Sequence, residues 1–195
     1  MYGTSIIALF ATSFLATTSH AGPLLPRADP IVVYPSFTSQ YNAKTGAVTF
    51  NTTSGLVSRN PQNGGADIST LVTFALDTKY STNKCQLVFD LTDSKSSVSG
   101  TGKAQLYSAL APAYTSASSW PSGNLRDQDL GSIVVVKGKR ATWDATAGGL
   151  LAGSNGTFPC SDIAGAIFGG EIVPRGDTVE IKWPTLVDGI KILVT

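Results

Sequence analysis

Histidine supplies most acid–base and metal-binding chemistry near neutral pH, and this chain contains a single one, His20. His20 lies in an N-terminal segment that we expect to be removed. The mature chain would then have no imidazole, which excludes Ser-His-Asp and Cys-His catalysis and histidine-ligated zinc, iron or copper. The sequence accordingly indicates no cofactor and no metal site.

Carboxylates are the remaining side chains that could catalyse a reaction. A glycoside hydrolase needs one as an acid and a second as a nucleophile or base, about 5–10 Å apart. No spacing selects such a pair among the candidates, which are Asp90, Asp127, Asp129, Asp144, Glu171, Asp177 and Glu180. A carboxylate-dependent carbohydrate-active enzyme is therefore the alternative function, and we assign no catalytic residue.

One short acidic stretch resembles part of a calcium loop. Asp127 and Asp129 are followed by Gly131, but the remaining oxygen ligands of such a loop are missing. Turn residues or a solvated loop explain these side chains more simply, so the sequence predicts no calcium site.

Two groups of side chains could contact a ligand without catalysing a reaction. Trp120 precedes Pro121 in an aperiodic stretch, residues 109–129, and could stack on a sugar or anchor its own loop. Trp143 and Trp183 lie on predicted strands, where core packing is favoured.

The second group is a basic cluster, Lys137, Lys139 and Arg140, at a predicted hairpin tip. It could bind an anion, or it could be a solvated turn that protects a sheet edge. The whole chain has 14 basic and 13 acidic residues, a net charge of +1. Such a balance gives no electrostatic case for nucleic acid or an anionic membrane as partner.

The N-terminus has the features of a secretory signal peptide over residues 1–21: an uncharged apolar segment followed by Ser19-His20-Ala21. A membrane anchor is the alternative, but a span needs about 20 apolar residues. Residues 22–30 are a pro-segment cleaved after Arg27 or an N-terminal arm. We therefore expect a secreted protein, extracellular or in the cell wall, with no membrane association after cleavage.

The cysteines and the N-glycosylation sequons are consistent with this predicted secretion. Cys85 and Cys160 are the only two cysteines and most simply form one disulfide, with two free buried thiols as the alternative. Closing a loop of this length stabilises a fold by roughly 4 kcal/mol in the chain-entropy model. Asn51 and Asn155 each begin an N-glycosylation sequon.

The predicted elements that position these residues are strands. Two apolar runs, residues 71–76 and 85–91, predict a β-hairpin within residues 69–91, with Cys85 facing the core. At least eight short strands and no long helix predict one all-β domain over residues 31–195. The expected fold is an antiparallel β-sandwich, jelly-roll-like, with one disulfide.

Four short motifs in this order resemble a known family. They are Cys85-Gln86-Leu87-Val88-Phe89, Ser99-Gly100-Thr101-Gly102, Gly156-Thr157-Phe158-Pro159-Cys160 and Gly189-Ile190-Lys191-Ile192. The chain from residue 33 to 195 resembles fungal secreted proteins with a But-two C-terminal-like domain, named after a ubiquitin-three-binding protein. The segment 183–188 departs from the family pattern, and the resemblance implies no catalytic residues.

Together these observations favour a secreted or cell-surface β-sandwich without enzymatic activity. It would bind cell-wall polysaccharide or an extracellular protein, or serve as a structural module, with residues 109–129 as the expected contact loop.

Overall fold

The computed structural model describes residues 29–113 and 125–195. The predicted signal peptide, most of the 22–30 segment and Trp120 lie outside these ranges.

The described chain forms strands joined by short 3-10 turns, and no helix in it has the length and hydropathy needed to cross a bilayer. The strands are β1 (Ile31–Val33), β2 (Phe37–Asn42), β3 (Val48–Thr49), β4 (Ser54–Arg59), β5 (Ile68–Ala75), β6 (Lys84–Leu91), β7 (Ser97–Gly100), β8 (Lys103–Ala109), β9 (Arg126–Val134), β10 (Lys139–Arg140), β11 (Thr142–Trp143), β12 (Thr157–Pro159), β13 (Ile167–Arg175), β14 (Val179–Pro184) and β15 (Gly189–Val194). The 3-10 turns are Pro61–Asn63, Thr78–Tyr80, Ala145–Ala147 and Cys160–Asp162.

These strands form two sheets whose strand pairs are antiparallel. The smaller sheet has the order β1-β15-β6-β10, with β12 also on β6. The larger sheet has the order β11-β9-β8-β13-β5-β4-β14-β7, with β2 on β5 and β3 on β2. Their facing sides bury one core, to which the smaller sheet contributes Leu87 and Ile192 and the larger sheet Phe74, Leu106 and Ile172. This confirms the predicted all-β antiparallel sandwich.

The predicted hairpin over residues 69–91 is wrong. β5 pairs with β13 and β2, whereas β6 pairs with β15, so the two strands belong to different sheets. The 3-10 turn Thr78–Tyr80, capped by the Asp77 side chain, lies in the connection that carries the chain between the sheets. Each strand has an apolar face that packs on the core. That face is the same whether the two strands pair within one sheet or lie in two sheets that pack on each other. The alternation in β6 itself is confirmed, because Cys85 is fully buried.

β7 and β8 are separated by a corner at Gly100 and Gly102. On one side of the corner β8 pairs with β13, and on the other side β7 pairs with β14, the next strand in the chain after β13. The segments 97–109 and 167–184 are therefore partners on both sides of the corner. Both glycines have positive φ, +71° and +62°. The corner curls the larger sheet.

The predicted disulfide is confirmed. Cys85 on β6 is bonded to Cys160 at the start of the turn Cys160–Asp162, and their Cα atoms are 5.0 Å apart. β12 pairs with β6 directly beside the bond, where Phe158 lies opposite Cys85. The disulfide therefore fastens the segment before β13 onto the smaller sheet.

The region between β8 and β11 differs from expectation in where its first strand begins. β9 begins at Arg126, so part of the predicted irregular stretch 109–129 is strand, hidden in the sequence by polar residues 126–129. Val136, just after β9, is 47% exposed. Lys137, Lys139 and Arg140 lie, as predicted, in the connection between two paired antiparallel strands, β9 and β11. Within that region β10 pairs with β6 of the smaller sheet, whereas β11 pairs with β9 of the larger sheet. The chain changes sheets between those two short strands.

Candidate functional site

A cleft of about 290 Å³ opens between the two sheets; we call it the inter-sheet cleft. Its apolar lining comes from both sheets and from the disulfide-anchored segment. The apolar side chains that line it are Leu87, Ala109, Leu130, Leu150, Leu151, Phe158, Ile163, Phe168 and Ile192. The cleft is thus an unfilled continuation of the core.

Local backbone contacts hold the outer wall of the cleft in place. The loop after the turn Ala145–Ala147 is fastened to β9, because the Leu150 N–H donates to the Asp129 carbonyl (3.0 Å) and the Leu151 N–H to the Leu130 carbonyl (2.9 Å). Leu150 remains 63% exposed at the mouth of the cleft. A large aliphatic side chain is therefore presented to solvent by an ordered loop.

Two carboxylates also line the inter-sheet cleft. Asp127 lies on β9, and the Ser108 hydroxyl is 3.3 Å from its Oδ2. Asp162 lies on the turn after Cys160. Both are exposed, and neither forms an ion pair within residues 29–113 and 125–195. The cleft therefore combines an apolar interior with two uncompensated negative charges.

Two other candidate carboxylates, Glu171 and Asp90, form ion pairs with arginines. Arg126 donates from Nε and Nη2 to Glu171 (2.6 and 3.0 Å), which also accepts from Ser69 at 2.5 Å. Burial alone would lower the pKa of Arg126, but the bonds to Glu171 outweigh it and the pKa is raised. Arg140 donates in the same two-pronged way to Asp90 (2.7 and 3.1 Å).

Asp90 has a second cation beside it. The Lys191 ammonium is 2.8 Å from Asp90 Oδ2. Burial would raise the pKa of Asp90, yet Arg140 and Lys191 together hold it below its ordinary value. The Asp90 carboxylate therefore forms ion pairs with two cations of the smaller sheet, Arg140 and Lys191.

The remaining candidates are dispersed. Asp129 accepts from the Gln105 amide and from the Gly131 N–H (2.9 Å), and Asp144 caps the turn Ala145–Ala147. Asp177 and Glu180 are exposed on the larger sheet and its connections. Among the described residues, no group of three or more His, Cys, Asp or Glu side chains could hold a metal ion.

Of the seven carboxylates named from the sequence, only Asp127 lines the cleft. Asp162, which sequence reasoning missed, lines it as well. Its only signal in the sequence was its position two residues after Cys160, whose predicted bond to Cys85 placed it near β6.

The two described tryptophans have different surroundings. Trp183 is 2% exposed and packs edge-on against Phe89, with ring centroids 4.9 Å apart, which confirms its predicted core position. Trp143 packs against the core but is only half-buried. It lines a second recess of about 270 Å³, the Trp143 groove, together with Gln86, Val88, Arg140, Ala141, Thr142 and Asn155.

The members of the basic cluster have separate contacts. The Lys137 ammonium donates to the backbone carbonyls of Asp93 and Ser96, and Arg140 is bonded to Asp90. Lys139 is exposed on β10. Ligand binding by these three residues stays a prediction, as does glycosylation at the exposed Asn51 and Asn155.

A sequence profile described as "Ubiquitin 3 binding protein But2 C-terminal domain" matches residues 33–183, more than three quarters of the chain. The chain belongs to this family. No curated protein sequence matches it. The matched But2 domain includes every residue that lines the Trp143 groove and, apart from Ile192, every residue that lines the inter-sheet cleft. Both recesses are therefore parts of the But2 domain itself.

Proposed function

We propose that this protein is a secreted, non-enzymatic binding module that holds a partner protein at the inter-sheet cleft. One observation carries the proposal: an apolar recess continuous with the core opens beside two carboxylates without ion pairs. Such a site suits an aliphatic or aromatic side chain that is followed or preceded by a lysine or arginine.

A protein partner fits this cleft better than a polysaccharide does. The hydroxyl groups of a sugar need hydrogen-bond partners when they are buried, whereas this cleft is lined mainly by leucine, isoleucine and phenylalanine. The family description also names a protein that binds another protein. We do not extend ubiquitin itself to this chain, because we propose that the chain enters the secretory pathway.

The extracellular location rests on three features of different kinds. The disulfide suits an oxidising compartment. The predicted signal peptide would deliver the chain there, and both sequon asparagines are exposed. Expression of the full chain in a eukaryotic secretory host, followed by N-terminal sequencing, should give secreted protein beginning at Gly22 or Ala28.

Partner binding can be tested with short synthetic peptides of defined charge. We expect peptides that contain Leu-Lys or Phe-Lys to bind more tightly than matched Leu-Glu or Phe-Glu peptides in a fluorescence polarisation assay. Asp127→Asn and Asp162→Asn should each weaken the lysine peptides about two- to fivefold, since exposed ion pairs contribute about 0.2–1 kcal/mol. Asp177→Asn, an exposed carboxylate that does not line the cleft, is the matched control.

A second variant tests the cleft without altering charge. Ala109 lines the cleft and is partly exposed, so Ala109→Phe should fill the space and abolish peptide binding. Circular dichroism and the unfolding midpoint would show whether the variant is folded. Unchanged binding by folded Ala109→Phe would contradict the proposal.

The enzymatic alternative has one supporting observation, which is that Asp127 and Asp162 line the same cleft. It predicts product release from some oligosaccharide and complete loss of turnover in Asp127→Asn or Asp162→Asn. Our proposal predicts no turnover across such a panel.

A further inference from the structure

The Trp143 groove lies on the side of β6 that faces away from the core. Gln86 and Val88 alternate along β6 with the inward-facing Cys85, Leu87 and Phe89, and both line the groove. Arg140 on β10 and Trp143 on β11 complete it. The groove thus combines one aromatic ring with a guanidinium and a carboxamide.

The Trp143 ring has a fixed position. A Cβ at Gly156 would overlap the Leu87 carbonyl oxygen and lie 2.7 Å from Trp143 Nε1, so the backbone there approaches the indole as closely as only glycine allows. On another side, a Cβ at Gly131 would be 3.0 Å from Cζ3 of the ring. The indole is therefore held between two glycine backbones while part of it lines the groove.

The polar groups of the groove are also held in place. Two bonds to Asp90 fix the plane of Arg140. Gln86 donates from Nε2 to the Asn155 carbonyl oxygen at 2.9 Å, which leaves its side-chain oxygen as an acceptor. A rigid site of this kind loses little conformational entropy when it binds a ligand.

Asn155 connects this groove to a specific ligand. It is exposed, lines the groove and begins the sequon Asn155-Gly156-Thr157. Its φ is +52°, and the Gly156 N–H donates to the Leu151 carbonyl (2.9 Å), so a tight turn sets its position. Any glycan on Asn155 begins at the edge of the groove, where covalent attachment gives it a high effective concentration.

We propose that the Trp143 groove holds the first N-acetylglucosamine of an N-glycan attached to Asn155. The apolar face of the sugar would lie on the indole, and Gln86 and Arg140 would bond its acetamido group and hydroxyls. This inference rests on the proposed secretory route, but it concerns a different surface from the partner cleft. The glycan then becomes part of the folded domain.

The second sequon provides an internal control. Asn51 follows β3 of the larger sheet, is exposed, and has a similar φ of +56°, but it does not line the groove. Thr53→Ala removes that sequon and leaves a glycan only on Asn155, whereas Thr157→Ala leaves one only on Asn51. Both threonines are exposed, so the two variants are closely matched.

The test compares two enzymes on protein from a host that makes high-mannose glycans. Endoglycosidase H leaves one N-acetylglucosamine, and peptide N-glycosidase F removes the whole glycan. For Thr53→Ala we expect the endoglycosidase-treated protein to keep the melting temperature of the untreated one. Complete removal should lower it by about 2–4 °C, the shift that about 1 kcal/mol produces in a domain of this size. For Thr157→Ala the two treatments should give equal melting temperatures.

A second measurement requires no change to Trp143. In protein labelled with ¹⁵N-tryptophan, the indole signal of Trp143 should differ between the two enzyme treatments of Thr53→Ala. The signal of the buried Trp183 should stay in place.

Three outcomes would overturn the inference. Secreted protein with Asn155 unmodified in glycopeptide mass spectra would overturn it and leave the binding proposal intact. A modified Asn155 with equal melting temperatures and an unmoved Trp143 signal would do the same. Retention of the unglycosylated chain in the cytosol would overturn both this inference and the proposed secretion.

Discussion

Trp183 and Trp143 are packed in the same way but are exposed to different degrees. Each indole lies against two glycine backbones, Gly55 and Gly189 for Trp183, and Gly131 and Gly156 for Trp143. Trp183 is on β14, between β4 and β7 in the larger sheet, and is sealed in the core. Trp143 is on β11, the last strand at the opposite end of that sheet, and stays half-buried.

The difference shows that strand order, rather than local sequence, decides which tryptophan can contact a ligand. Both have polar or turn-forming neighbours in the chain, and the same core position was predicted for both. An interior strand has partners on both edges, whereas the terminal strand leaves one side of the ring without cover.

The largest effect is expected from loss of the disulfide, which fastens the segment beside Trp143 and not the strand of Trp183. Cys85→Ser combined with Cys160→Ser should lower the free energy of unfolding by about 4 kcal/mol. Urea unfolding followed by circular dichroism measures it. In the folded variant, acrylamide quenching of Trp143 should rise above its wild-type value while that of the buried Trp183 stays unchanged. A Trp143 quenched no more strongly than in the wild type would contradict the assignment of this segment to Trp143.

Gly189→Ala should have the next largest effect, about 3 kcal/mol. Gly189 has a φ of +85°, and an added methyl group would overlap the Trp183 indole, which has no space to move within the core. Urea unfolding is again the measurement. A loss below 1 kcal/mol would show that Trp183 is not confined as described.

Gly156→Ala should cost less, about 2 kcal/mol. Its φ of +80° and its contact with Leu87 make the same kind of strain, but Trp143 is only half-buried, so less of the core has to adjust around the added methyl group. Gly153→Ala is the matched control, because a Cβ there meets no atom within 4 Å and its φ is not positive. If Gly156→Ala and Gly153→Ala unfold at the same urea concentration, the packing described for Trp143 is wrong.

The smallest effect concerns the pH dependence contributed by Asp188, next to Gly189. Asp188 accepts from Thr92 (2.9 Å), the Asp93 N–H (2.7 Å) and Ser96 (2.6 Å). Burial would raise its pKa, but these donors outweigh burial and lower it below its ordinary value.

Because the pKa of Asp188 is lowered in the folded state, its ionised form stabilises the fold at any pH above the unfolded-state pKa of about 3.9. This stabilisation is lost as the pH falls through the folded-state pKa. Asp188→Asn should therefore cost about 1 kcal/mol at pH 7 and have a shallower acid limb in urea unfolding between pH 3 and 7. An acid limb as steep as that of the wild type would rule out this role for Asp188.

The sequence predicted the strands better than their partners. The apolar run 85–91 predicts β6 because apolar residues alternate along it, which is a local property. The pairing of β5 and β6 was predicted wrongly because an apolar face indicates burial without indicating which sheet covers it. Register and sheet membership depend on contacts between distant parts of the chain.

The candidate site shows the same limit. Asp127 was visible as an acidic residue, but the cleft beside it is built from positions as distant as Leu87 and Ile192. Asp162 had no recognisable motif. Trp143 was predicted on a strand, and only the position of β11 at the end of a sheet shows that part of its ring stays uncovered.

The disulfide-anchored segment has a thermodynamic consequence. Residues 155–162 contribute Asn155 to the groove and Phe158 and Asp162 to the inter-sheet cleft, so one stretch of backbone is a shared partition between the two recesses. An occupant that displaces or stiffens this partition changes the affinity of the other recess, and linkage requires the factor to be the same in both directions. Glycan occupancy at one recess and partner affinity at the other would then be a single coupled equilibrium.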